Sequence, residues 1–223
     1  CHVSALDHGV EHDVGAFARR RQIDVRRVAR RRLEQAGEHR RLGNRNVLDV
    51  LAEVASHTWL TIELGLQSIH EASLIWMRRG HRYEHFLAAV AKCRHRGFRV
   101  GAHVILGLPG ESAEMMQGTA CEMARLRIDA VKLHNLHAVE GTDLADLVKS
   151  GQVILPESSE YVGWAVDFLV RLHPECVIER LSADAPSQYL VAPAWCLQKS
   201  QVVAAIETEF RRRGTHQGAQ FRE

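Results

Sequence analysis

The sequence predicts an α/β protein built from parallel β/α units, and two observations carry that prediction. Short β-branched, apolar runs alternate along the chain with segments whose apolar residues recur at helical spacing. The runs are apolar on both faces, which is typical of parallel strands covered by helices. Because crossovers between parallel strands are right-handed, the units are expected to stack into one sheet or a partial barrel with the helices outside.

The predicted elements begin at residue 47 and follow one another closely. Strands are predicted at 58–66, 98–106, 130–136 and 176–181. Helices are predicted at 47–55, 71–77, 83–96, 113–126, 160–172 and 198–213. In such folds the site lies at the C-terminal ends of the strands, so the loops after them are expected to carry the chemistry.

Residues 1–45 differ in composition from residues 46–223, and we treat them as a separate segment. They contain 11 arginines, no lysine and a single aromatic residue, Phe17. One interpretation is a basic arm that binds RNA electrostatically. The preferred interpretation is a poorly ordered, solvated or mis-translated segment, because it offers little apolar surface to bury.

Composition restricts the class of protein. The chain has 223 residues, 46% hydrophobic and 25% charged, which suits a globular protein with one core. The net charge of +2 is too small to imply a nucleic-acid partner by itself. Apolar runs are too short to span a membrane, and no secretory signal pattern is present. We therefore expect a cytoplasmic protein without a membrane partner.

The five cysteines are far apart in sequence, which argues against a disulfide framework or a zinc site. Cys93 and Cys121 lie in predicted helices and are expected to be small buried side chains. The fourteen histidines are scattered. Because His134 and His137 have no cysteine or carboxylate at ligand spacing, no metal site is predicted there.

Polar residues follow the first two predicted strands. Alternation places Glu63, Gly65 and Gln67 on one strand face, where they could hold a ligand. The alternative is that Glu63 pairs with an arginine and Gln67 caps the next helix. The second strand ends in GLPGES at 107–112, whose glycines allow close backbone approach and whose Ser112 is a predicted N-cap. An ordinary strand-to-helix turn would use the same glycines.

Polar residues also lie on the last two predicted strands. Lys132 and His134 point the same way from the third strand, towards a barrel interior or its mouth. The alternative is a lysine that snorkels to solvent. Arg180 on the fourth strand is interpreted as either a ligand contact or an ion-pair partner.

Taken together and in order, these motifs resemble the radical S-adenosylmethionine (radical SAM) superfamily. The similarity rests on ELGLQS at 63–68, MRRGH at 77–81, HVILGLPGE at 103–111 and DAVKLHNLHAVEGT at 129–142. LSADAP at 181–186 and APAWC at 192–196 resemble an uncharacterised bacterial branch related to elongator-type and coproporphyrinogen-dehydrogenase-type members. The resemblance covers roughly residues 47–219.

The resemblance implies a fold and a chemistry. The fold is a partial (β/α)6 TIM-like barrel, of which this chain shows the C-terminal strands and helices. The implied cofactors are S-adenosylmethionine and a [4Fe-4S] cluster, at which reductive cleavage of S-adenosylmethionine gives a 5′-deoxyadenosyl radical. The substrate is unknown, and the elongator-type relatives make a tRNA base one candidate. An electron donor would be a partner if the protein is active.

The resemblance also implies cofactor-binding residues, while catalytic residues stay unassigned. Gln67 and Arg79 match positions that contact S-adenosylmethionine in related members. His103 stands where relatives carry an acidic residue, and Glu63 shares the strand face of Gln67. The strand and loop that would line the adenine contribute Ile105, Gly107, Leu108, Pro109 and Gly110.

The sequence departs from the family in its cysteines. The CxxxCxxC-type run that supplies three cluster thiolates is absent, so no metal ligand is predicted. We expect a truncated or frameshifted form, in preference to a degenerate relic, and a chain that does not assemble the cluster alone. Exposed strand edges are expected to favour aggregation.

Two other functions compete with the radical enzyme. One is a non-catalytic module that binds S-adenosylmethionine or RNA. The other is a cluster-free barrel enzyme that uses Glu63, Lys132 or His134 in acid–base chemistry.

Overall fold

The computed structural model describes residues 2–6 and 47–222. Strand β1 (His2–Leu6) lies in the segment 1–45, where no strand was predicted. The predictions made for the rest of that segment fall on residues outside the described ones. The other strands are β2 (Trp59–Gln67), β3 (Arg99–Leu106), β4 (Ala130–Asn135), β5 (Ala138–Val139), β6 (Val177–Arg180) and β7 (Leu190–Ala192). The helices are α1 (Val47–Ala55), α2 (Glu71–Trp76), α3 (Tyr83–His95), α4 (Ala113–Arg125), α5 (Asp143–Lys149), α6 (Ser158–Leu169) and α7 (Lys199–Arg213), with a 3-10 turn at Ala194–Leu197.

Five strands form a sheet in the order β1-β2-β3-β4-β6, and β5 pairs with β7 in a separate ribbon. Strand β1 is antiparallel to β2, whereas β4 and β6 are parallel. Each of the four predicted strands is present within one or two residues of its predicted ends. The predicted α/β class with parallel pairing is confirmed.

The chain divides into two compact units. The first comprises residues 1–64 and 87–101, and the second comprises residues 65–86 and 102–223. In the first unit, the guanidinium of Arg99 lies 5.1 Å from the ring centre of Trp59. In the same unit, Arg96 forms an ion pair with Asp49 on α1 at 3.2 Å.

Alternation divides β3 and β4 into a buried face and a half-buried face. Val104 and Leu106 of β3 and Leu133 of β4 are almost completely buried. The residues between them (His103, Ile105, Lys132 and His134) are only partly covered. The sheet therefore has one apolar side and one side on which polar groups gather, although the sequence predicted strands apolar on both faces.

Helix α4 has the predicted N-cap, and of the two cysteines predicted to be buried, one is buried and one is exposed. The Ser112 side chain accepts a hydrogen bond from the Met115 backbone N–H at 3.3 Å, so the predicted N-cap is confirmed. Cys93 is buried, as predicted. The prediction for Cys121 is wrong, because this residue is exposed. The buried stripe of α4 runs through Met116, Ala120 and Met123, and a residue one step beyond Ala120 turns about 100° away from it.

Three hydrogen bonds hold the segment after β6 against the rest of the second unit. The Tyr161 hydroxyl donates to the Leu181 carbonyl at 2.6 Å, and the Ala183 N–H donates to Asn135 Oδ1 at 2.9 Å. The Trp195 indole N–H donates to the Pro156 carbonyl at 3.0 Å. Together these contacts fix the LSADAP and APAWC motifs. Within the described residues, no helix combines the length and apolarity that crossing a membrane requires.

The Tyr161 hydroxyl provides a test of this anchoring. Tyr161 is fully buried, so Tyr161→Phe leaves the Leu181 carbonyl without its donor at an almost unchanged volume. We expect the free energy of unfolding, measured by urea denaturation, to fall by roughly 1–2 kcal/mol. Tyr189→Phe is the matched control, since Tyr189 is 54% exposed and its change should leave the urea midpoint where it is. Equal effects of the two substitutions would contradict the assignment.

Candidate functional site

A cavity of about 610 Å³ opens in the second unit at the C-terminal ends of the strands. Gln67 ends β2, Ile105 lies near the end of β3, and Leu136 directly follows β4. The remaining lining comes from the turn after α2 and from the start of α5: Trp76, Met77, Arg78, Arg79, Thr142, Asp143, Leu144 and Leu147. The cavity thus combines an apolar wall with an amide, two guanidinium groups and a carboxylate.

Gly65 allows two polar side chains to lie across β2. Arg79 Nη2 donates to the Gly65 carbonyl at 3.0 Å, and His81 Nε2 lies 3.1 Å from the same oxygen. A Cβ atom on Gly65 would lie 2.9 Å from Arg79 Nη2 and 3.0 Å from Gln67 Nε2. The missing side chain at Gly65 therefore makes room for the guanidinium and the amide that face the cavity.

Gln67 adopts a strained backbone conformation where β2 ends. Its φ of 70° lies in the left-handed region, which costs a residue with a side chain about 1–2 kcal/mol. Such strain persists where the surroundings hold the residue in place, and it is common at binding sites. Because His70 occupies the N-cap position of α2, the alternative role of Gln67 as the cap of that helix is wrong.

An ion pair crosses the rim of the cavity. Arg78 Nη1 donates to Asp143 Oδ2 at 2.7 Å and so links the turn after α2 to the first residue of α5. The Thr142 side chain caps α5 by accepting from the Ala145 N–H at 3.2 Å. Both partners of the ion pair are largely exposed, so it adds at most about 1 kcal/mol of stability. Its effect is to position the rim.

The GLPG loop packs away from this cavity. Gly107 has a φ of 82°, and a Cβ atom there would lie 3.0 Å from Trp164 and 3.1 Å from Pro156. Leu108 is buried, Pro109 is half-buried and Gly110 is exposed. The Ser68 hydroxyl donates to the Glu111 carboxylate at the end of the loop. Of the predicted adenine-lining residues, Ile105 reaches this cavity, and the roles of the others stay predictions.

Two histidines meet on the half-buried face of the sheet. The rings of His103 on β3 and His134 on β4 are stacked, with centroids 5.3 Å apart and planes 22° apart. Burial and, secondarily, the neighbouring His103 and Arg180 lower the pKa of His134 to about 3. Lys132 forms an ion pair with Glu179 at 3.5 Å, which replaces the proposed snorkelling to solvent. The sequence singled out His103 and His134 separately, and the structure brings them together.

Glu63 lies in the first unit. It is 3% exposed and stands opposite His2 in the register of β1 and β2. Its predicted role as a cofactor contact stays a prediction.

The described residues fit the two implied cofactors differently. The guanidinium and amide groups of the cavity suit an amino acid carboxylate, and its apolar wall suits an adenosyl group. An iron–sulfur cluster needs three thiolates close together, and the four described cysteines include three buried side chains and the exposed Cys121. Within the described residues, no group of three or more His, Cys, Asp or Glu side chains could hold a metal.

Comparison with known families assigns the chain. A model of the radical SAM superfamily matches residues 19–120, and a model of the radical SAM C-terminal domain matches residues 128–212. The chain belongs to the radical SAM superfamily. The first match begins at residue 19, inside the basic segment, whereas the motifs that carry the resemblance begin near residue 47.

Individual relatives are similar over part of their length. The uncharacterized protein YtqA of Bacillus subtilis is 35% identical over 176 residues, which is 79% of this chain and 55% of YtqA. A tRNA uridine(34) acetyltransferase of Methanocaldococcus infernus is 29% identical over 134 residues, which is 58% of this chain and 25% of that protein. The radical SAM chain described here thus spans about half the length of the first relative and a quarter of the second.

A solved structure confirms the fold. The archaeal Methanocaldococcus infernus Elp3 with an N-terminal deletion superimposes with a TM-score of 0.66 and 20% sequence identity. The match covers 78% of this chain and 40% of the Elp3 chain. The predicted partial TIM-like barrel of the radical SAM type is therefore confirmed.

The environment of His134 predicts a pH dependence. Its pKa of about 3 in the folded state lies below the value of about 6.5 expected for an unfolded histidine. The unfolded state takes up the proton first as pH falls, so stability present above pH 6.5 is lost between pH 6.5 and 3. We expect the urea midpoint to fall more steeply with acid in the wild type than in His134→Phe. Parallel midpoint curves would rule out a histidine that stays neutral.

Proposed function

We propose that this chain is the C-terminal part of a radical SAM enzyme and that its 610 Å³ cavity binds S-adenosylmethionine. The observation that carries the proposal is the convergence of Gln67, Arg79 and Ile105 on that one cavity. These three residues come from separate motifs of the sequence. Their meeting at the C-terminal ends of strands, in a member of this superfamily, supports a cofactor site.

Each of these residues has a role that its chemistry supports. The guanidinium of Arg79 presents paired N–H donors that match a carboxylate, and its hydrogen bond to Gly65 limits its movement. The Gln67 amide offers both a donor and an acceptor. Ile105 supplies apolar surface for a ring. When bound beside a reduced cluster, S-adenosylmethionine supplies a carbon radical that removes a hydrogen atom from a substrate.

The described residues do not supply the three cysteine thiolates that a [4Fe-4S] cluster requires. We propose that this chain is a truncated or frameshifted form and that the ligands are encoded upstream. Reading the DNA before the codon for Val47 in all three frames tests this directly. A cysteine-rich run in another frame supports it. Absence of such a run sinks it and favours a binding module that works without a cluster.

A tRNA is the proposed substrate, and an electron donor is the proposed partner of the active protein. The similarity to a tRNA uridine(34) acetyltransferase supports the first part. Filter binding would compare unmodified tRNA with duplex DNA of equal charge at several salt concentrations, because non-specific phosphate contacts weaken steeply with salt. Preference for tRNA that persists at high salt supports the proposal. Equal binding of the two polymers contradicts it.

Calorimetric titration of S-adenosylmethionine into the anaerobic 223-residue protein tests the cofactor site. Saturable binding of one equivalent is expected even without iron, because the cavity's donors belong to this chain. Absence of binding would overturn the proposed cofactor site.

Gln67→Gly separates stability from binding at this site. Relief of the left-handed strain, about 1–2 kcal/mol, exceeds the entropy cost of glycine, about 0.5–1 kcal/mol. We expect the urea midpoint to stay constant or rise while the affinity for S-adenosylmethionine falls by about tenfold, the loss of one hydrogen-bonding group. Gln67→Asn is the control, since asparagine tolerates this conformation and keeps an amide. Unchanged affinity in the glycine variant would remove Gln67 from the site.

Gly65→Ala tests whether the space above β2 matters. The new methyl group would displace the ends of the Arg79 and Gln67 side chains, which are flexible, so we expect an effect on stability within about 0.5 kcal/mol. The affinity for S-adenosylmethionine should nevertheless fall by about tenfold, because both polar groups move. Gly80→Ala is the matched control, since a Cβ atom at Gly80 meets nothing within 4 Å. Equal affinities of the two alanine variants would refute this role of Gly65.

A further inference from the structure

The half-buried face of the sheet contains a buried nitrogen without a hydrogen-bond partner. Within the described residues, His134 Nε2 is inaccessible to solvent and bonds to nothing. More than about 90% of buried polar groups in folded proteins have a partner, and an exception calls for a missing water, ion or ligand. The stacked ring of His103 restricts the orientation of the His134 ring. The free nitrogen is therefore held in a defined direction.

The surroundings of His134 carry a surplus of positive charge. Lys132 and Arg180 are partners in the parallel register of β4 and β6, which shifts at Lys132, and the positive charge of each lowers the pKa of His134. Glu179 offsets part of this charge through its ion pair with Lys132 at 3.5 Å. Asp184 also interacts with Arg180, but it forms its own ion pair with Lys199 at 2.8 Å. Two carboxylates, Glu179 and Asp184, thus stand against three cations beside the histidine pair.

This histidine pair adjoins the cavity described above. His103 precedes Ile105 by two residues, and His134 precedes Leu136 by two residues. Both Ile105 and Leu136 line the cavity. Successive residues on one strand face are about 7 Å apart, so a ligand in contact with His134 would lie next to a molecule in the cavity.

We propose that His134, together with Lys132 and Arg180, binds an oxyanion of the substrate, a phosphate or a carboxylate, beside the S-adenosylmethionine cavity. The inference rests on the proposed function, because it assigns the neighbouring cavity to the cofactor. The neutral imidazole donates its Nε2–H to the oxyanion, and the two cations supply the attraction. A phosphate group is what an RNA or nucleotide substrate would present here.

Imidazole NMR of the full chain labelled with ¹⁵N tests this assignment. The probes are inorganic phosphate, acetate, uridine 5′-monophosphate and the neutral nucleoside uridine. We expect at least one oxyanion to shift the His134 Nε2 resonance in a saturable way, whereas uridine leaves it in place. Saturation by phosphate or acetate alone shows that the free anion suffices. A response to the nucleotide alone identifies a nucleotide as the source of the phosphate.

Substitutions separate a binding role from a structural role. His134→Phe keeps an aromatic ring against His103 but removes the nitrogen, and Arg180→Gln removes one cation. Each should weaken oxyanion binding at least about tenfold, the equivalent of one charged hydrogen bond. Because the Phe variant has no imidazole resonance at this position, its oxyanion affinity is measured by calorimetric titration. The His134→Gln variant, which keeps a hydrogen-bond donor, should bind the oxyanion more tightly than His134→Phe. His216→Gln and Lys149→Gln are controls, because neither residue is among the charged groups that act on His134.

Two results would overturn the proposal. One is a His134 resonance that no oxyanion moves, which would mean that water satisfies the nitrogen. The other is equal oxyanion affinity in the wild type and His134→Phe. Titration of S-adenosylmethionine into the same samples reads the cofactor site separately. If the wild type binds the oxyanion but not S-adenosylmethionine, the proposed cofactor site is wrong and the oxyanion site stands.

Discussion

The alternation of side chains along β3 and β4 is the constraint on which the second unit depends. Val104, Leu106 and Leu133 are removed from water on one face, and burial of such apolar side chains is the main favourable contribution to folding. The same geometry sends His103, Ile105, Lys132 and His134 to the other face. A polar, half-buried surface is therefore a direct consequence of forming the core, and it adjoins the strand ends where the loops build the cavity.

Two energetically unfavourable features lie at or near the strand ends. Gln67 is held at a φ of 70°, and His134 has a buried nitrogen without a partner among the described residues. Both features oppose stability, and folded proteins retain such features mainly where function uses them. Gly65 is a third unfavourable feature, because a glycine contributes no side-chain packing to the strand. Its missing side chain gives the Arg79 guanidinium access to the backbone.

Membership of the radical SAM superfamily and the cysteine content of this chain pose a clear problem. Its cavity carries donors suited to S-adenosylmethionine, whereas the described cysteines are separated and mostly buried. Cys196, for example, is fully buried, and burial raises the pKa of its thiol, which disfavours the thiolate that iron requires. The proposed binding of S-adenosylmethionine can therefore be measured independently of any radical chemistry.

The sequence by itself determined the family, the α/β class and the positions of the main elements. Apolar periodicity and motif order are local properties, so β2, β3 and the cap at Ser112 could be predicted without tertiary contacts. Local pattern also failed in places. The short helix α5 is too brief to show a period, and Cys121 proved to be exposed because helix rotation depends on what the helix packs against. Only the tertiary structure brought His103 against His134, joined Gln67 and Arg79 over Gly65, and turned the GLPG loop towards Trp164. Such contacts join residues distant in sequence, and their geometry follows from the packing of whole strands and helices.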